Sequence, residues 1–368
     1  MESILTAKTE RRLMYNRVHL CLNEIRMVYL MKSQQIQLAK RPQGEPDDDC
    51  FQLTDVELPP LQDNEILIRV LVLSLDPYMR GRMNDAKSYV EPTKIGEVMP
   101  GESAGVVVES KSNKYKVGDH VTAYSGWQTY CVKNADDLLV RPIDLNEGTL
   151  SMHLGVIGMP GRTAYWGFKE VGKPKAGETL VVAAASGAVG SVVGQMAKIL
   201  GLRAIGIAGG AEKCRYVKDE LGFDDCIDYK AADFEEKLRT ACPNGVDIYF
   251  ENVGGAVSEA VSKLFNAGAR APICGYVSAY NAVDRSTVRT PFDIFKDASN
   301  VPEHRFFVVT EWNDRWREAT GQLAQWVKDG KIKFKESWGE GLENCPSLFR
   351  GLLKGKNFGK QVVKIADQ

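Results

Sequence analysis

The stretch AAASGAVGSVVGQMAK, residues 183–198, decides the fold of this chain. It begins inside an apolar run, TLVVAAA (179–185), that reads as a buried strand, and it leads into VGSVVGQMAKIL (189–200). There Val189, Val192, Val193, Met196, Ala197 and Leu200 follow the i, i+3, i+4, i+7, i+8, i+11 spacing, one apolar stripe on a helix packed against a sheet. Between strand and helix, Ala184, Gly187 and Gly190 form A-x-x-G-x-x-G. Gly187 lets the main chain approach a pyrophosphate, and Gly190 lets the helix pack tightly on the strand. The unpaired N–H groups opening the helix, with its dipole, favour anionic phosphates. The glycine spacing alone is a weak signal; inside a strand–helix–strand unit it points to a dinucleotide.

Downstream of this turn the same rhythm repeats. RAIGIAGG (203–210), CIDY (226–229), VDIYFENVGG (246–255) and ARAPICGYV (269–277) alternate with helical patterns, which predicts a parallel sheet with helices on its faces. Upstream of MPGRTAYWGF (159–168) the pattern is mostly β: EILIRVLVLSLD (65–76), SAGVVVES (103–110) and KVGDHVTAY (116–124) read as strands among Pro and Gly turns. From Lys331 onward short strands surround one helix, and they either complete the parallel sheet or return to the β-rich part.

The end of the second strand separates the two nicotinamide dinucleotides. An Asp or Glu there, roughly 20 residues past the glycines, holds the ribose hydroxyls in NAD sites. This chain has Gly209 and Gly210, then Ala211, Glu212, Lys213, Cys214 and Arg215. Two glycines leave room for a 2′-phosphate and Lys213 supplies a cation, which favours NADPH/NADP+. Glu212 could instead accept from a ribose, and Lys213 with Arg215 could form only a solvated helix start.

Composition narrows the classes. A length of 368 residues favours two domains at roughly 150 each. Hydrophobic residues are 44% and charged residues 26%, which excludes a disordered or fibrous chain. The formal net charge of -1 leaves no basic excess for nucleic acid. No run approaches the about 18 apolar residues of a membrane span. Eight cysteines lie far apart without a C-x-x-C pair, so they read as reduced thiols of a cytoplasmic protein. Four histidines, none in H-E-x-x-H, argue against a protein-bound metal. Residues 1–30 match neither a signal peptide, because Asn16, Arg17, His19, Asn23, Glu24 and Arg26 interrupt any apolar core, nor an acid-poor transit peptide. They read as an extension without an assigned function.

Several motifs then coincide: LSLDPYMRGRM (73–83), GMPGRTAYWG (158–167), the glycine loop, ENVGG (251–255), CGYVSAYN (274–281) and LLKGKNFGK (352–360). From about residue 31 to the C-terminus the chain resembles the zinc-free branch of the medium-chain dehydrogenase/reductase superfamily. Within it, the likeness is to the leukotriene B4 12-hydroxydehydrogenase/prostaglandin reductase group, on the side of the bacterial NADPH-dependent curcumin/dihydrocurcumin reductases. The resemblance implies an α/β chain: a Rossmann doubly wound parallel sheet over 156–331, plus a GroES-like mostly-β catalytic domain from 31–155 and 332–368. It implies a glycine loop of Ser186, Gly187, Ala188, Val189 and Gly190, and a 2′-phosphate held near Gly210 by Lys213 and Tyr229. Asn252 and the run Cys274, Gly275, Tyr276, Val277, Ser278 to Tyr280 would line ribose and nicotinamide. Phe307 and Val308 would meet the carboxamide, and Asn357 would reach the cofactor from the catalytic domain. Zinc-dependent members carry G-H-E and a cysteine ligand; PGESAG (100–105) has no histidine and SLDPYMR no cysteine, so metal-free chemistry is expected.

Reduction of a C=C bond conjugated to a carbonyl suits that constraint. Hydride reaches the β-carbon, charge moves to the carbonyl oxygen, and a hydrogen-bond donor aimed at that oxygen is required. A tyrosine, with pKa about 10, remains a donor at neutral pH. Tyr276 and Tyr89 are the expected catalytic pair; Tyr78, Tyr89 and Tyr276 are expected to meet the substrate, with Tyr280 a cofactor contact. Tyr78 could equally be packing, and Arg80 with Arg82 could bind a phosphate or form a solvated face. The expected substrate is a small hydrophobic enone of the curcumin type. Quinone reduction and a non-catalytic NADP(H)-binding protein are the alternatives. A homodimer is implied through HRFFVVTEW (304–312), with no nucleic-acid or membrane partner.

Overall fold

The computed structural model describes residues 31–85 and 91–367, so the N-terminal extension and Tyr89 lie outside the described residues. In the N-terminal part, β1 (Lys32–Leu38) pairs antiparallel with β2 (Phe51–Glu57). The run EILIRVLVLSL becomes β3 (Glu65–Leu75), buried along almost its whole length because it carries neighbours on both edges. On one edge lies β4 (Ser103–Ser110), with β5 (His120–Ala123) beyond it; β6 (Tyr130–Asn134) takes the other edge, and β7 (Arg141–Pro142) pairs with β5.

The second half alternates strand and helix. Its strands β8 (Thr179–Ala183), β9 (Arg203–Ala208), β10 (Asp225–Asp228), β11 (Val246–Phe250), β12 (Phe265–Ile273) and β13 (Glu303–Phe306) are all parallel, in the order β10-β9-β8-β11-β12-β13. This is the doubly wound Rossmann order, whose strand direction of progression reverses between β8 and β11. The period of two along β8 sends Leu180 and Val182 into one core with Trp166 and Met196, and Val181 and Ala183 into another with Tyr249 and Phe295. The apolar stripe read from the sequence forms the helix Gly190–Ile199, whose Val192, Val193, Met196 and Ala197 are buried. Burying each of the larger chains is worth about 1.5–3 kcal/mol.

The final strands rejoin the first unit. β14 (Glu336–Glu340) lies parallel to β15 (Lys360–Lys364), and β15 pairs antiparallel with β3, giving the order β14-β15-β3-β4-β5-β7 with β6 also on β3. The helix Cys345–Leu353 connects them. The β-rich unit is GroES-like, set beside the Rossmann unit.

The parallel strands stop earlier than their apolar runs. TLVVAAA ends as strand at Ala183, RAIGIAGG at Ala208 and VDIYFENVGG at Phe250. Beyond those points the chain turns, with φ +54 at Ala184, +98 at Gly210 and +81 at Gly254, so these residues form the crest above the sheet. None of the seven described cysteines is in a disulfide. Among the described residues no helix is long and apolar enough to cross a membrane.

One contact tests the β3–β4 seam. A Cβ added at Gly105 would stand 2.3 Å from Arg69 O, whereas one at Gly321 in the helix Trp316–Lys328 meets nothing within 4 Å. Gly105→Ala is expected to destabilise by about 2 kcal/mol, and Gly321→Ala to stabilise by about 0.5–1 kcal/mol. Urea midpoints of the two variants check both signs.

Candidate active site

Six strand ends and the β-rich unit enclose one cavity of about 800 Å³. The crest residues reach it because each follows a parallel strand: the glycine loop after β8, Gly209 after β9, Tyr229 and Lys230 after β10, Asn252 after β11, Cys274 and Gly275 after β12, and Phe307 after β13. Ligands of open α/β sheets bind at this edge.

At one end, the backbone makes a cradle that side chains would fill. A Cβ on Gly190 would lie 2.4 Å from Ala184 O, and one on Gly209 would lie 2.8 Å from the Tyr229 ring. Gly359 N–H donates to Ser186 O at 3.1 Å, bringing the segment before β15 onto the loop. Lys213 Nζ donates to Gly355 O and Asn357 O, each at 2.7 Å, and Asn357 Nδ2 to Gly359 O at 2.7 Å. Burial, and then the nearby Lys230 charge, hold the Lys213 pKa below its ordinary value. Two lysines therefore repel one another at the crest, and no carboxylate ends β9 to offset them. Gly210 does not line the cavity; its N–H donates to Asp228 Oδ1 at 2.9 Å and so shapes the turn.

In the middle, Asn252 Nδ2 donates to Ala183 O at 2.8 Å, across the point where the strand order reverses. Glu251 beside it is fully buried and accepts from Tyr249 Oη, Val253 N–H, Gly254 N–H and Ser258 Oγ. It therefore holds the ENVGG turn, and burial raises its pKa. Cys274 is a half-buried thiol that desolvation pushes up to about 12, so it is not a nucleophile. The turn Val277–Ala279 folds Tyr280 back over the end of β12, where its hydroxyl would lie 2.7 Å from a Cβ on Gly275. Tyr276 points elsewhere. It packs on the core of the opposite face of the sheet and does not line the cavity, although its ring lies 6.2 Å from that of Tyr280.

At the other end the walls are aromatic: Tyr78, Tyr124, Trp166, Trp312 and Trp316, with Leu139 and Met159. Tyr78 is hydrogen-bonded with Tyr124, and desolvation raises its pKa well above that of free tyrosine. Arg80 is buried and neither solvated nor facing a phosphate: it donates to Asn281 Oδ1 at 2.9 Å, Asn84 Oδ1 at 2.7 Å and Gly44 O at 2.6 Å. Arg82 lines the cavity with its guanidinium 6.0 Å from the Tyr78 ring.

Apart from Gly210 and Tyr276, every expected cofactor residue lines this cavity, and so does Tyr78. Tyr89 falls outside the described residues. The sequence reading passed over Lys230, Tyr124, Glu102, Arg141, Arg162, Trp312 and Trp316, all in the lining. Lys230 was findable, because it directly follows Tyr229 at a strand end; Arg162 and Glu102 lie in GMPGRTAYWG and PGESAG, whose reading did not turn on their charge, and the rest lie in stretches where no local pattern marks them.

The donor set does not fit a catalytic metal. Among the described residues no three His, Cys, Asp or Glu side chains come together for one, and the cavity carboxylates Asp76 and Glu102 face Lys360, Arg141 and Arg162 instead.

A Rossmann crest with a glycine cradle, sharing its cavity with a GroES-like unit, defines a dinucleotide-dependent oxidoreductase of the medium-chain type. Family models described as the N-terminal domain of oxidoreductase and as zinc-binding dehydrogenase match residues 34–140 and 188–326. The chain is 47% identical over 334 residues to NADPH-dependent curcumin reductase of Escherichia coli K12, covering 89% of this chain and 96% of that one. It is 41% identical over 332 residues to mouse prostaglandin reductase 1, covering 89% and 97%. The crystal structure of CurA in complex with NADPH from Vibrio vulnificus superposes with a TM-score of 0.86 at 47% identity, over 91% of this chain and 100% of that one. The chain belongs to the medium-chain dehydrogenase/reductase superfamily, in its prostaglandin reductase and curcumin reductase group.

Removing the Glu251 acceptor strands four buried donors. Glu251→Ala is expected to cost about 3 kcal/mol in urea unfolding, with Glu251→Gln losing less.

Proposed function

We propose that the chain is an NADPH-dependent reductase of the conjugated C=C bond in bulky hydrophobic α,β-unsaturated ketones and aldehydes, working without a metal. The observation that carries this reading is the single cavity that joins the glycine cradle to an aromatic chamber holding tyrosine hydroxyls. The relatives include a curcumin reductase and a prostaglandin reductase, and the aromatic walls here suit a bulky apolar substrate.

The chain's residues fit the cofactor. Ser186 to Gly190 would receive the pyrophosphate, and Lys213, Tyr229 and Lys230 the 2′-phosphate. Asn252, Cys274, Gly275, Val277 and Ser278, with the backbone of Phe307 and Val308, would surround the nicotinamide riboside, and Asn357 would close over it. NADPH supplies a hydride for the β-carbon when bound. The protein's task is to hold the carbonyl and to stabilise the enolate oxygen, and Tyr280 takes that role: its hydroxyl stands over Gly275 at the end of β12, where Tyr276 does not reach. Tyr78, kept protonated by burial and by Tyr124, is a second donor in the chamber. Trp166, Trp312 and Trp316 exclude water from the developing charge, which strengthens each hydrogen bond to it. Protonation of the α-carbon completes saturation.

In this reading residues 31–155 with 332–368 form the catalytic unit, residues 156–331 the dinucleotide unit, and the enzyme is cytoplasmic. β13 ends the six-stranded sheet, so its outer edge offers main-chain groups to a second copy in a homodimer.

Two measurements test the reading. Lys230→Ala is expected to raise KM for NADPH about 10- to 100-fold while KM for NADH moves little, because only the 2′-phosphate loses a charged partner. With an enone panel followed at the NADPH absorbance, Tyr280→Phe is expected to lower kcat about 100-fold or more, and Tyr276→Phe less than about threefold for want of a substrate contact. Faster turnover of quinones than of enones by the wild type would reassign the reaction.

A further inference from the structure

The described cysteines are not equivalent. Desolvation raises the thiol pKa of Cys50, Cys131, Cys242, Cys274 and Cys345, which makes these five poor nucleophiles. Cys214 and Cys226 stand apart from them. Both are half-buried, and neither lines the cavity.

The parallel sheet brings these two together. In the β9–β10 pair Cys226 is in register with Gly206 and Asp228 with Ala208, and residues two apart on a strand share a face. A Cβ on Gly206 would meet Val217 Cγ1 at 2.9 Å and Cys226 Sγ at 3.2 Å, so Cys226 projects to the face covered by the chain that follows β9. Cys214 sits on that chain, in the helix Ala211–Arg215, with its N–H donated to Gly210 O at 3.2 Å. Its sulfur accepts from the Cys226 thiol and, more weakly, from Ala208 N–H, and these bonds hold its pKa below the ordinary thiol value. Cys226 is raised, and the largest cause is Cys214 itself. Packing alone would leave both thiols raised like the other five. One thiol held toward the thiolate, partly open to solvent and beside a second that can resolve it, is the arrangement of a reversible disulfide.

We propose that Cys214 and Cys226 are a modification site for a hydroperoxide, forming a disulfide that ties the helix Ala211–Arg215 to β10 and weakens NADPH binding. The Cys214 thiolate attacks a peroxide oxygen: an S–O bond forms, the O–O bond breaks, and the released hydroxide leaves as water with the proton Cys214 has lost. Cys226 then attacks the Cys214 sulfur; the S–S bond forms, the S–O bond breaks, and the Cys226 proton leaves with the hydroxyl as a second water. Two thiols thus lose two electrons to one hydrogen peroxide, and an external dithiol returns them. An S–S bond of about 2.05 Å is far shorter than any contact between two thiols, so the helix must be drawn toward β10. Lys213 precedes Cys214 and is bonded to Gly355 O and Asn357 O at 2.7 Å each, so it moves with the helix and the crest is reshaped. The effect on NADPH rests on the 2′-phosphate reading of that crest; the disulfide itself does not.

The test takes the full chain, reduced, through treatment with a few equivalents of hydrogen peroxide, followed by peptide mapping in the mass spectrometer and titration with NADPH. A Cys214–Cys226 linked peptide is expected in the wild type and in neither Cys214→Ser nor Cys226→Ser. The wild-type Kd for NADPH should rise about tenfold on oxidation and return with dithiothreitol, while both serine variants stay unchanged. By linkage, saturating NADPH should shift the disulfide equilibrium in a dithiothreitol buffer toward the dithiol by the same factor. Absence of the linked peptide, or a linked protein whose Kd for NADPH is that of the reduced one, overturns the proposal. The two readings fail separately: a linked peptide with KM for NADPH indifferent to Lys230→Ala would sink the 2′-phosphate reading and keep the disulfide. A strong Lys230→Ala effect with no linked peptide would sink the disulfide alone.

Discussion

The hydrogen bond from Gly359 N–H to Ser186 O, at 3.1 Å, is the contact on which the arrangement of the two sheets depends. It joins the glycine loop of the parallel sheet to the residue preceding β15, a strand that is itself paired with β3. Only glycine fits there: φ is +69, and a Cβ would lie 1.9 Å from Lys335 O. The next residue, Lys360, reaches Leu75 O and Asp76 Oδ1, each at 2.8 Å, and Lys213 crosses from the other unit to the carbonyls of Gly355 and Asn357. Four consecutive attachments along one short segment therefore fix how wide the cavity is and which residues face each other across it. The loop built to approach phosphates is the same loop that carries the junction.

Buried charge sorts the structural groups from those open to a ligand. Glu251 is fully buried, but four donors from its own turn meet it, so its desolvation is offset within the fold. Asp76 is met by Lys360 and Ser74. Glu102 has two arginines at a distance and an orphaned oxygen. The first two clusters leave little for a ligand to gain, whereas the third keeps donors unspent beside a cavity.

The Rossmann unit was legible because local rules govern it. Strand–helix alternation, the stripe from Val189 to Leu200 and the A-x-x-G-x-x-G turn each act within a dozen residues, and the parallel order follows from them. Strand ends were less legible, since Ala184 and Gly210 turn while the apolar run continues; hydrophobicity does not encode φ. The side-chain direction of Tyr276 against Tyr280 was not legible at all. Both leave the same strand, and only the short turn Val277–Ala279 decides that the later one bends back over Gly275. The Glu102, Arg141 and Arg162 cluster was invisible for another reason: its members come from three separated segments, and each alone resembles an ordinary surface charge.

This difference in legibility follows from how the two halves of the cavity are made. The dinucleotide end is formed largely by main chain, through glycines, strand-end N–H groups and carbonyls, so few substitutions are compatible with it and a motif survives in the sequence. The aromatic end is formed by side chains delivered from the turn before β4, from β7, the helices Met159–Trp166 and Trp316–Lys328 and the segment between β13 and the latter helix. Each of those scaffolds is held by its own core, such as Trp166 stacked on Trp312 at 5.9 Å. A residue such as Arg162 can therefore change in chemistry while the helix beneath it stays packed. The glycine-cradle half of the cavity is thus constrained by backbone geometry, whereas the aromatic half rests on side chains whose charge the fold beneath them does not dictate.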